Sequence, residues 1–358
     1  MIIYFAIIFA ILIMSIALRN QNTSSELSYK KIYVKDVVIL FAIGAILIMV
    51  AGLRYNVGAD YLQYAANYRA YYMSDLEILG EPGIRIVAKI AHASIDHFGM
   101  MFLLASVITI GCYYWSILTN SPYFIISILL FILLGCWHES FNSVRQSLAA
   151  GILFLGHTSI KEKKIVKWII VCCVASLFHI SAIIFVFLYF LPVKRVTFKY
   201  IIIFSVCAFF MLNQYEHIWE LISFLQGEEF LVDIYSQSRI NVLRILVAWV
   251  PTLFYLVFQK IYILQDERYK TQLHFYLSFS ILNACIMMSA MNSAYLGRMG
   301  IYMELYNTLC WAYLLKPLTK NRGNIVFFVI FFLVYGIYWY AEVSGEYLAN
   351  FQWIFSVM

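Results

Sequence analysis

Apolar stretches recur along the whole chain, and each is close to the length that a membrane-spanning helix requires. They lie near residues 2–18, 37–53, 100–118, 123–137, 146–160, 168–191, 199–212, 243–260, 273–291, 298–315 and 325–341. A hydrocarbon core of about 30 Å takes about 20 residues of helix, and a helix satisfies every backbone group inside lipid. Because 63% of the residues are hydrophobic and only 12% are charged, soluble enzymes and DNA-binding proteins are excluded. The sequence therefore predicts an all-α polytopic membrane protein.

Segment 168–191 decides the predicted topology, because it either crosses the membrane once or breaks and returns to the side it left. If it breaks between Ser176 and Ser181, the loops on one side carry 17 of the 25 Lys and Arg residues and the other side carries 8. Basic residues concentrate in cytoplasmic loops, and a single crossing gives no such clear excess. We therefore predict about ten transmembrane helices plus a re-entrant or broken helix pair near 168–191, with both termini outside.

Domain organisation is predicted to be simple, with a single integral membrane domain over residues 1–358 and outer loops 54–99 and 213–242 folded over it. The first apolar stretch lacks the basic start and the cleavage site of a signal peptide, so we expect a retained helix. The seven cysteines include no CxxC pair, so we expect no metal and no cofactor. A net charge of +6 is too small an excess to indicate a nucleic-acid partner.

The first group of polar residues, at the outer end of the second stretch, contains Arg54, Gly58, Asp60 and Tyr64. An arginine there can bind two phosphate or carboxylate oxygens with its planar fork, and Asp60 could act as a base or orient Arg54. The alternative is an Arg–Asp pair that only closes a helix end. Downstream, Glu81 begins a turn that leads into an amphipathic helix, most simply one lying at the membrane interface.

A second group lies at the start of the fifth stretch. If this segment is one continuous helix, His138, Asn142, Arg145 and Gln146 share a face. An Arg at the centre of a membrane helix costs about 2.5–3.5 kcal/mol on the insertion scale. A bound anion is one way to compensate for that cost, and a solvated helix end is the alternative.

Two further groups follow later in the chain. His179 lies in an apolar run at the predicted chain reversal, where irregular backbone requires surrounding protein or a water-filled cavity; a packing histidine is the alternative. Arg298 begins an apolar helix that also carries Tyr302 and Glu304, and its alternative is an interfacial anchor. Outward arginines at the mouths of apolar helices indicate a ligand with an anionic head and an apolar tail, such as a polyprenyl diphosphate.

These residues also carry a family resemblance, because the ordered set resembles the EpsG family of Wzy-like exopolysaccharide and O-antigen repeat-unit polymerases. The resemblance covers most of the chain and rests on Arg54, Gly58, Asp60, Tyr64, Glu81-Pro82-Gly83, Asn142, Arg145, Gln146, Phe178-His179-Ile180-Ser181, Arg298 and Tyr302. It implies a multi-pass enzyme of the bacterial plasma membrane with a fold like that of GT-C membrane glycosyltransferases. It also implies a reaction that joins undecaprenyl-diphosphate-linked repeat units.

The reaction expected from both lines of reasoning is metal-independent glycosyl transfer at the outer face. The partners are a lipid-linked glycan donor and acceptor, membrane lipid and a chain-length regulator, with no nucleic acid. Fixed cations stabilise a diphosphate leaving group and a base takes the proton of the attacking hydroxyl. The catalytic candidates are His179, Asp60, Arg145 and Arg298, and the diphosphate or glycan ligands are Arg54, Tyr64, Glu81, His138, Asn142, Gln146, Tyr302 and Glu304, with His138 and Glu304 as reserve bases.

Three other functions remain open at this level. A GT-C-type glycosyltransferase with a polyprenyl-phosphate sugar donor would also place an acidic residue, as Asp60 is, in an early outer loop. An O-acyltransferase would use an intramembrane histidine such as His179 with an upstream Asn. A non-enzymatic lipid-linked glycan flippase would move the same substrate and form no glycosidic bond.

Overall fold

The computed structural model describes residues 1–18, 34–76, 80–191, 195–214, 239–320 and 322–356, and almost all of them are helical. Most of the predicted outer loop 213–242 lies outside the described residues, at 215–238. By its internal contacts the chain forms two compact units, the first of residues 1–189 and 318–358 and the second of residues 190–317. The single membrane domain with loops folded over it stays a prediction.

The first unit contains the polar groups around Arg54, Glu81, Arg145 and His179. Its helices are α1 Ile2–Ile16, α2 Val34–Gly52, α3 Tyr61–Met73, α4 Pro82–Ser94, α5 Phe98–Asn120, α6 Phe124–Leu133, α7 Cys136–Asn142, α8 Val144–Gly156, α9 Thr158–Lys161, α10 Ile165–Ser176 and the 3-10 helix Ile180–Phe190. After the second unit it continues with α17 Ile325–Val343, α18 Glu346–Ala349 and the short 3-10 turns Arg322–Asn324 and Ile354–Ser356, and the 3-10 turn Lys316–Lys320 spans the boundary between the units. Helix α5 packs against α2, α4 and α8, and so forms the centre of the unit.

The second unit is built around two helices, Glu267–Ser289 and Ile301–Leu315, that pack against each other. Its helices are α11 Phe198–Asn213, α12 Val242–Val257, α13 Gln259–Ile263, α14 Glu267–Ser289, α15 Ala294–Gly297, the 3-10 turn Arg298–Gly300 and α16 Ile301–Leu315. Aromatic stacking fixes the pairing of α14 with α16, since the rings of Phe279 and Tyr306 lie 4.3 Å apart and those of Tyr276 and Tyr313 lie 5.3 Å apart.

Three described helices are long and apolar enough to cross a membrane: α2, α5 and α17. Helices α6 and α7 form a fourth such span if they are counted together, although they are bent by 44°. Five shorter apolar helices of 10–17 residues accompany them. The predicted all-α membrane class is therefore confirmed, whereas the number of crossings, about ten, stays a prediction.

The predicted break in segment 168–191 is present. Helix α10 ends at Ser176, and the 3-10 helix begins at Ile180. The indole N–H of Trp168 donates to the Phe185 carbonyl at 3.2 Å, and the Tyr189 hydroxyl donates to the Lys163 carbonyl at 2.8 Å. Residues on either side of the break are therefore neighbours, so the chain turns back on itself. The two arms measure about 18 Å and about 22 Å, each shorter than a bilayer core.

The condition set for residues 138–146, one continuous helix, is not met, because α7 ends at Asn142 and α8 begins at Val144. In a continuous helix the Phe141 carbonyl would accept the N–H of Arg145. Here that carbonyl accepts a hydrogen bond from Arg54 Nη2 at 3.0 Å, and the Arg145 N–H donates to the Tyr64 hydroxyl at 3.4 Å. The break therefore exchanges a helical hydrogen bond for two contacts with the 54–64 segment.

Residues 345–356, here called the C-terminal strap, close the first unit at the turn that follows α2. Strand β2, Gln352–Trp353, pairs antiparallel with β1, Arg54–Tyr55. Tyr347 accepts a hydrogen bond from the Gly58 N–H at 2.8 Å, and Leu348 accepts one from the Tyr4 hydroxyl at 3.0 Å. The strap therefore holds two parts of the first unit. One is the turn at residues 54–60, here called the Arg54 turn, and the other is the first turn of α1.

Candidate active site

Glu81 lies at the centre of a polar network that joins three separated parts of the first unit. Its Oε1 accepts hydrogen bonds from His179 Nδ1 at 2.6 Å and from the Ile180 N–H at 3.1 Å. Its Oε2 accepts one from Arg145 Nη1 at 2.5 Å. The side chain is only 11% exposed, so these contacts take the place of water around the carboxylate. One acidic residue thus connects the second and third polar groups of the sequence.

The local sequence explains why Glu81 points at these partners. It stands at the N-cap of α4 with a left-handed backbone, φ 54°, and Pro82 begins the helix with its preset dihedral angle. The Gly83 N–H then donates to the Leu177 carbonyl at 2.8 Å. A Cβ at Gly83 would lie 2.5 Å from the Phe178 ring, so only glycine allows this contact. The Glu81-Pro82-Gly83 turn is therefore docked on the bend that carries His179.

Arg145 supplies the positive charge of the network and keeps part of its guanidinium accessible. Its Nε donates to the Tyr64 hydroxyl at 3.3 Å, while Nη1 contacts Glu81. Nη2 has no hydrogen-bond partner in the part of the chain that the structure describes. Because the side chain is 39% exposed, this free edge can bind an oxygen of an anionic ligand.

The electrostatics of the network favour a charged Glu81. Burial alone would raise the pKa of this carboxyl, but the hydrogen bond from His179 and the positive charge of Arg145 lower it below its ordinary value. An ionised Glu81 accepts the Nδ1–H of His179, which leaves Nε2 of the ring with its lone pair. A histidine oriented by a carboxylate in this way can take up a proton at Nε2.

Arg54 donates to backbone carbonyls outside this network, and its predicted diphosphate contact stays a prediction. Its side chain is 1% exposed, and its nitrogens donate to the carbonyls of Val57 at 3.0 Å, Phe141 at 3.0 Å and Ala51. Burial lowers the pKa of Arg54 to about 10, so it stays charged at neutral pH. Arg54 therefore satisfies the carbonyls at the ends of α2 and α7, a structural role.

His138 and Asn142 also have surroundings that differ from the prediction. His138 is 1% exposed and is enclosed by aromatic rings, with the Tyr4 centroid at 4.7 Å and the Trp137 centroid at 4.9 Å. Neither of its ring nitrogens has a hydrogen-bond partner among the described residues, and its predicted role as a reserve base stays a prediction. Asn142 Oδ1 accepts the Ala59 N–H at 2.9 Å, which assigns it to the Arg54 turn.

The remaining predicted residues lie apart from the Glu81 contacts or in the other unit. Gln146 is buried in the first turns of α8, and Asp60 is partly exposed at the N-cap of α3. In the second unit Arg298 is exposed, Tyr302 is fully buried and Glu304 is partly exposed. Their predicted roles stay predictions. Among the described residues, no group of three His, Cys, Asp or Glu side chains could hold a metal ion.

Two residues beside the network, Asn67 and Tyr71, were not predicted from the sequence. Both follow Tyr64 along α3, and the Tyr71 ring lies 6.3 Å from the Tyr64 ring. Spacing could have indicated them, because residues three and seven positions after Tyr64 lie on the same face of a helix. The five tyrosines of α3 conceal that signal.

Comparison with known proteins gives one match. The sequence model of the EpsG family covers residues 37–354 of the 358, which include every residue of the network. No curated protein and no solved structure matches the chain. The family match and the apolar helices together indicate a membrane protein with a polymerase role in exopolysaccharide synthesis. The chain therefore belongs to the EpsG family.

Proposed function

We propose that this chain is a polysaccharide polymerase that joins undecaprenyl-diphosphate-linked oligosaccharide repeat units at the outer face of the bacterial plasma membrane. Family membership supports the class of reaction. One observation carries the chemistry, namely that Glu81 bridges His179 at 2.6 Å and Arg145 at 2.5 Å. The carboxylate of Glu81 thus positions His179 as a proton acceptor and Arg145 as an anion-binding cation. The proposed transfer requires both groups.

The proposed step is a displacement at the anomeric carbon of the donor glycan. A hydroxyl oxygen of the acceptor sugar forms the new bond to this carbon, and the bond from the carbon to the diphosphate oxygen breaks. The hydroxyl proton passes to Nε2 of His179, and the lipid diphosphate leaves with the electron pair. Glu81 holds the imidazole in the required tautomer and stabilises the imidazolium that forms, as carboxylates do in catalytic triads.

Arg145 has the complementary role in the proposal. Negative charge builds up on the diphosphate as the bond breaks, so a preoriented cation stabilises the transition state more than the bound substrate. The contacts of Arg145 with Glu81 and with Tyr64 fix the guanidinium plane and leave Nη2 without a partner among the described residues. A planar fork can bind two phosphate oxygens, which a lysine cannot do.

The test compares Arg145→Lys and His179→Gln with matched controls in cells that make the polymer. Arg69→Lys is the arginine control, because Arg69 is exposed on α3. His92→Gln is the histidine control, because His92 forms a similar pair with Asp96 at 2.8 Å on an exposed surface. Polymer length on a gel and lipid-linked single repeat units are measured at matched protein level.

Both network variants should lose most of the polymer and accumulate single repeat units, while both controls should give the wild-type ladder. Arg298→Lys in the same assay tests the cation predicted for the second unit. A wild-type ladder from Arg145→Lys and His179→Gln would overturn the proposed chemistry. Extension of the acceptor by one sugar only, in wild-type membranes, would replace the polymerase with a glycosyltransferase.

A further inference from the structure

A row of side chains on α3 begins at the network and continues away from it. Tyr64, Asn67 and Tyr71 occupy one face of this helix, at spacings of three and four residues. Tyr64 is 7% exposed, whereas Asn67 and Tyr71 are both partly exposed. The rings of Tyr64 and Tyr71 are tilted by 38° at a centroid distance of 6.3 Å. Asn67 and Tyr71 are here called the α3 wall. Tyr71 packs against the buried cluster that contains Tyr64, and both side chains keep a part that a ligand can reach.

The α3 wall adjoins the groups that the proposed reaction uses. Tyr64 accepts a hydrogen bond from Arg145 Nε and contacts Tyr71 on its other side. Burial raises the pKa of Tyr71, and the positive charge of Arg145 opposes that shift. Because Tyr64 contacts both Arg145 and Tyr71, a ligand held by Arg145 would lie next to the wall.

The chemistry of the wall selects among the parts of a lipid-linked glycan. A diphosphate carries several negative charges and is bound best by cations, whereas Asn67 and Tyr71 are both uncharged. A polyprenyl tail would leave the Asn67 amide without hydrogen bonds, which is costly. A sugar has apolar C–H faces that pack on aromatic rings and hydroxyls that hydrogen-bond to amides, and binding sites commonly combine such groups.

We propose that Asn67 and Tyr71 form a sugar subsite that binds the glycan residue next to the reacting bond. This inference rests on the polymerase function proposed above and adds a substrate-recognition site to it. Tyr71 packs on the sugar face, and Asn67 donates and accepts hydrogen bonds with the sugar hydroxyls. The subsite contributes binding and orientation, and no proton or leaving group passes through it.

The experiment measures binding, independently of turnover. The probe is the repeat-unit oligosaccharide released from the cell's own polymer by partial hydrolysis, titrated into the purified full-length protein in detergent by calorimetry. Tyr71→Leu and Asn67→Leu should each raise Kd about five- to tenfold, while Tyr71→Phe keeps the ring and should stay within about threefold of wild type. Tyr72→Leu is the matched control, because Tyr72 stacks on His92 at 4.1 Å.

Equal Kd values for wild type and Tyr71→Leu would overturn the sugar subsite, as would an equal loss of affinity in Tyr72→Leu or no binding by wild type. These results are distinguishable from failure of the proposed catalysis. If Arg145→Lys and His179→Gln lose polymer while Tyr71→Leu binds normally, only the subsite is wrong. If those two variants polymerise normally while Tyr71→Leu binds weakly, only the catalytic assignment is wrong.

Discussion

Replacement of Glu81 by Gln keeps the size of the side chain and removes one of its two acceptor oxygens. If the Gln oxygen accepts from His179 Nδ1 and the Ile180 N–H, the Gln amide group faces Arg145 Nη1, at the position where the wild-type atoms are 2.5 Å apart. Two donors then oppose each other. If the Gln side-chain amide has the opposite orientation, its NH2 group faces the Nδ1–H of His179 instead, and two donors again oppose each other. Gln can therefore serve one partner of Glu81 and not both.

The magnitude follows from the two roles of the carboxylate. A positioned base contributes about 10²–10⁴ to a rate, and without the carboxylate the imidazole loses its fixed tautomer and the charge that stabilises its protonated form. We expect the polymerisation rate to fall by at least about 100-fold, which corresponds to about 2.7 kcal/mol. Because Arg145 is 39% exposed, water compensates for part of the broken pair, and the free energy of unfolding should fall by only about 1–2 kcal/mol.

The assay measures initial rates of ladder formation in membranes that contain equal amounts of each variant, together with thermal unfolding of the purified proteins. Glu162→Gln is the control, because Glu162 pairs with Lys164 at 2.8 Å where both side chains are about half exposed. It should polymerise and unfold as wild type does. A Glu81→Gln variant that polymerises within fivefold of wild type would refute the role of the carboxylate.

Three further predictions follow from the contacts of the first unit. Arg54→Lys loses several carbonyl contacts of a buried guanidinium, so the free energy of unfolding should fall by about 3 kcal/mol. Unchanged thermal stability together with loss of polymer would favour a substrate-binding role for Arg54 instead. Gly83→Ala places a methyl group 2.5 Å from the Phe178 ring and should reduce polymerisation. Gly111→Ala is the control, because the space around Gly111 is open, and it should give the wild-type ladder. Equal ladders from the two variants would contradict the docking of the Glu81-Pro82-Gly83 turn on the bend that carries His179. The folded-state pKa of Glu81 is lowered, so the ionised carboxylate stabilises the folded protein. This contribution to the free energy of unfolding is fully present above the unfolded-state pKa of about 4.3, and it is lost as the pH falls through the lower folded-state pKa. The unfolding temperatures of wild type and Glu81→Gln should therefore converge in acid, and a constant difference across the pH series would contradict that assignment.

The helical class could be predicted from local composition, and the chain reversal near His179 could be predicted from the charges of the loops. Apolar length indicates helices, and the distribution of Lys and Arg favoured a break where α10 ends at Ser176. The pairing of Glu81 with its partners could not be predicted in this way. It joins positions 64 and 98 residues apart, and it depends on how the α4 N-terminus docks on a distant bend.

Arg54 shows why residue type alone does not reveal the contacts of a predicted site residue. A guanidinium that binds phosphate and one that binds carbonyl oxygens use the same donors, so the sequence does not distinguish them. The difference lies in the ends of α2 and α7, where the carbonyls of Ala51 and Phe141 lack helical partners. Arg54 supplies those partners, and the helix break at Ser143 follows from the same contacts.

The contact between Tyr4 and Leu348 constrains how many times the chain can cross a membrane. Tyr4 lies in the first turns of α1 and Leu348 lies in α18. Because a hydrogen bond places two residues at the same face of a membrane, we expect an even number of crossings between them. A single passage of segment 168–191 would add one crossing to the predicted ten and make the number odd. The hairpin formed by Trp168 and Phe185 adds none and keeps the number even. Any revision of the predicted spans must therefore add or remove crossings in pairs.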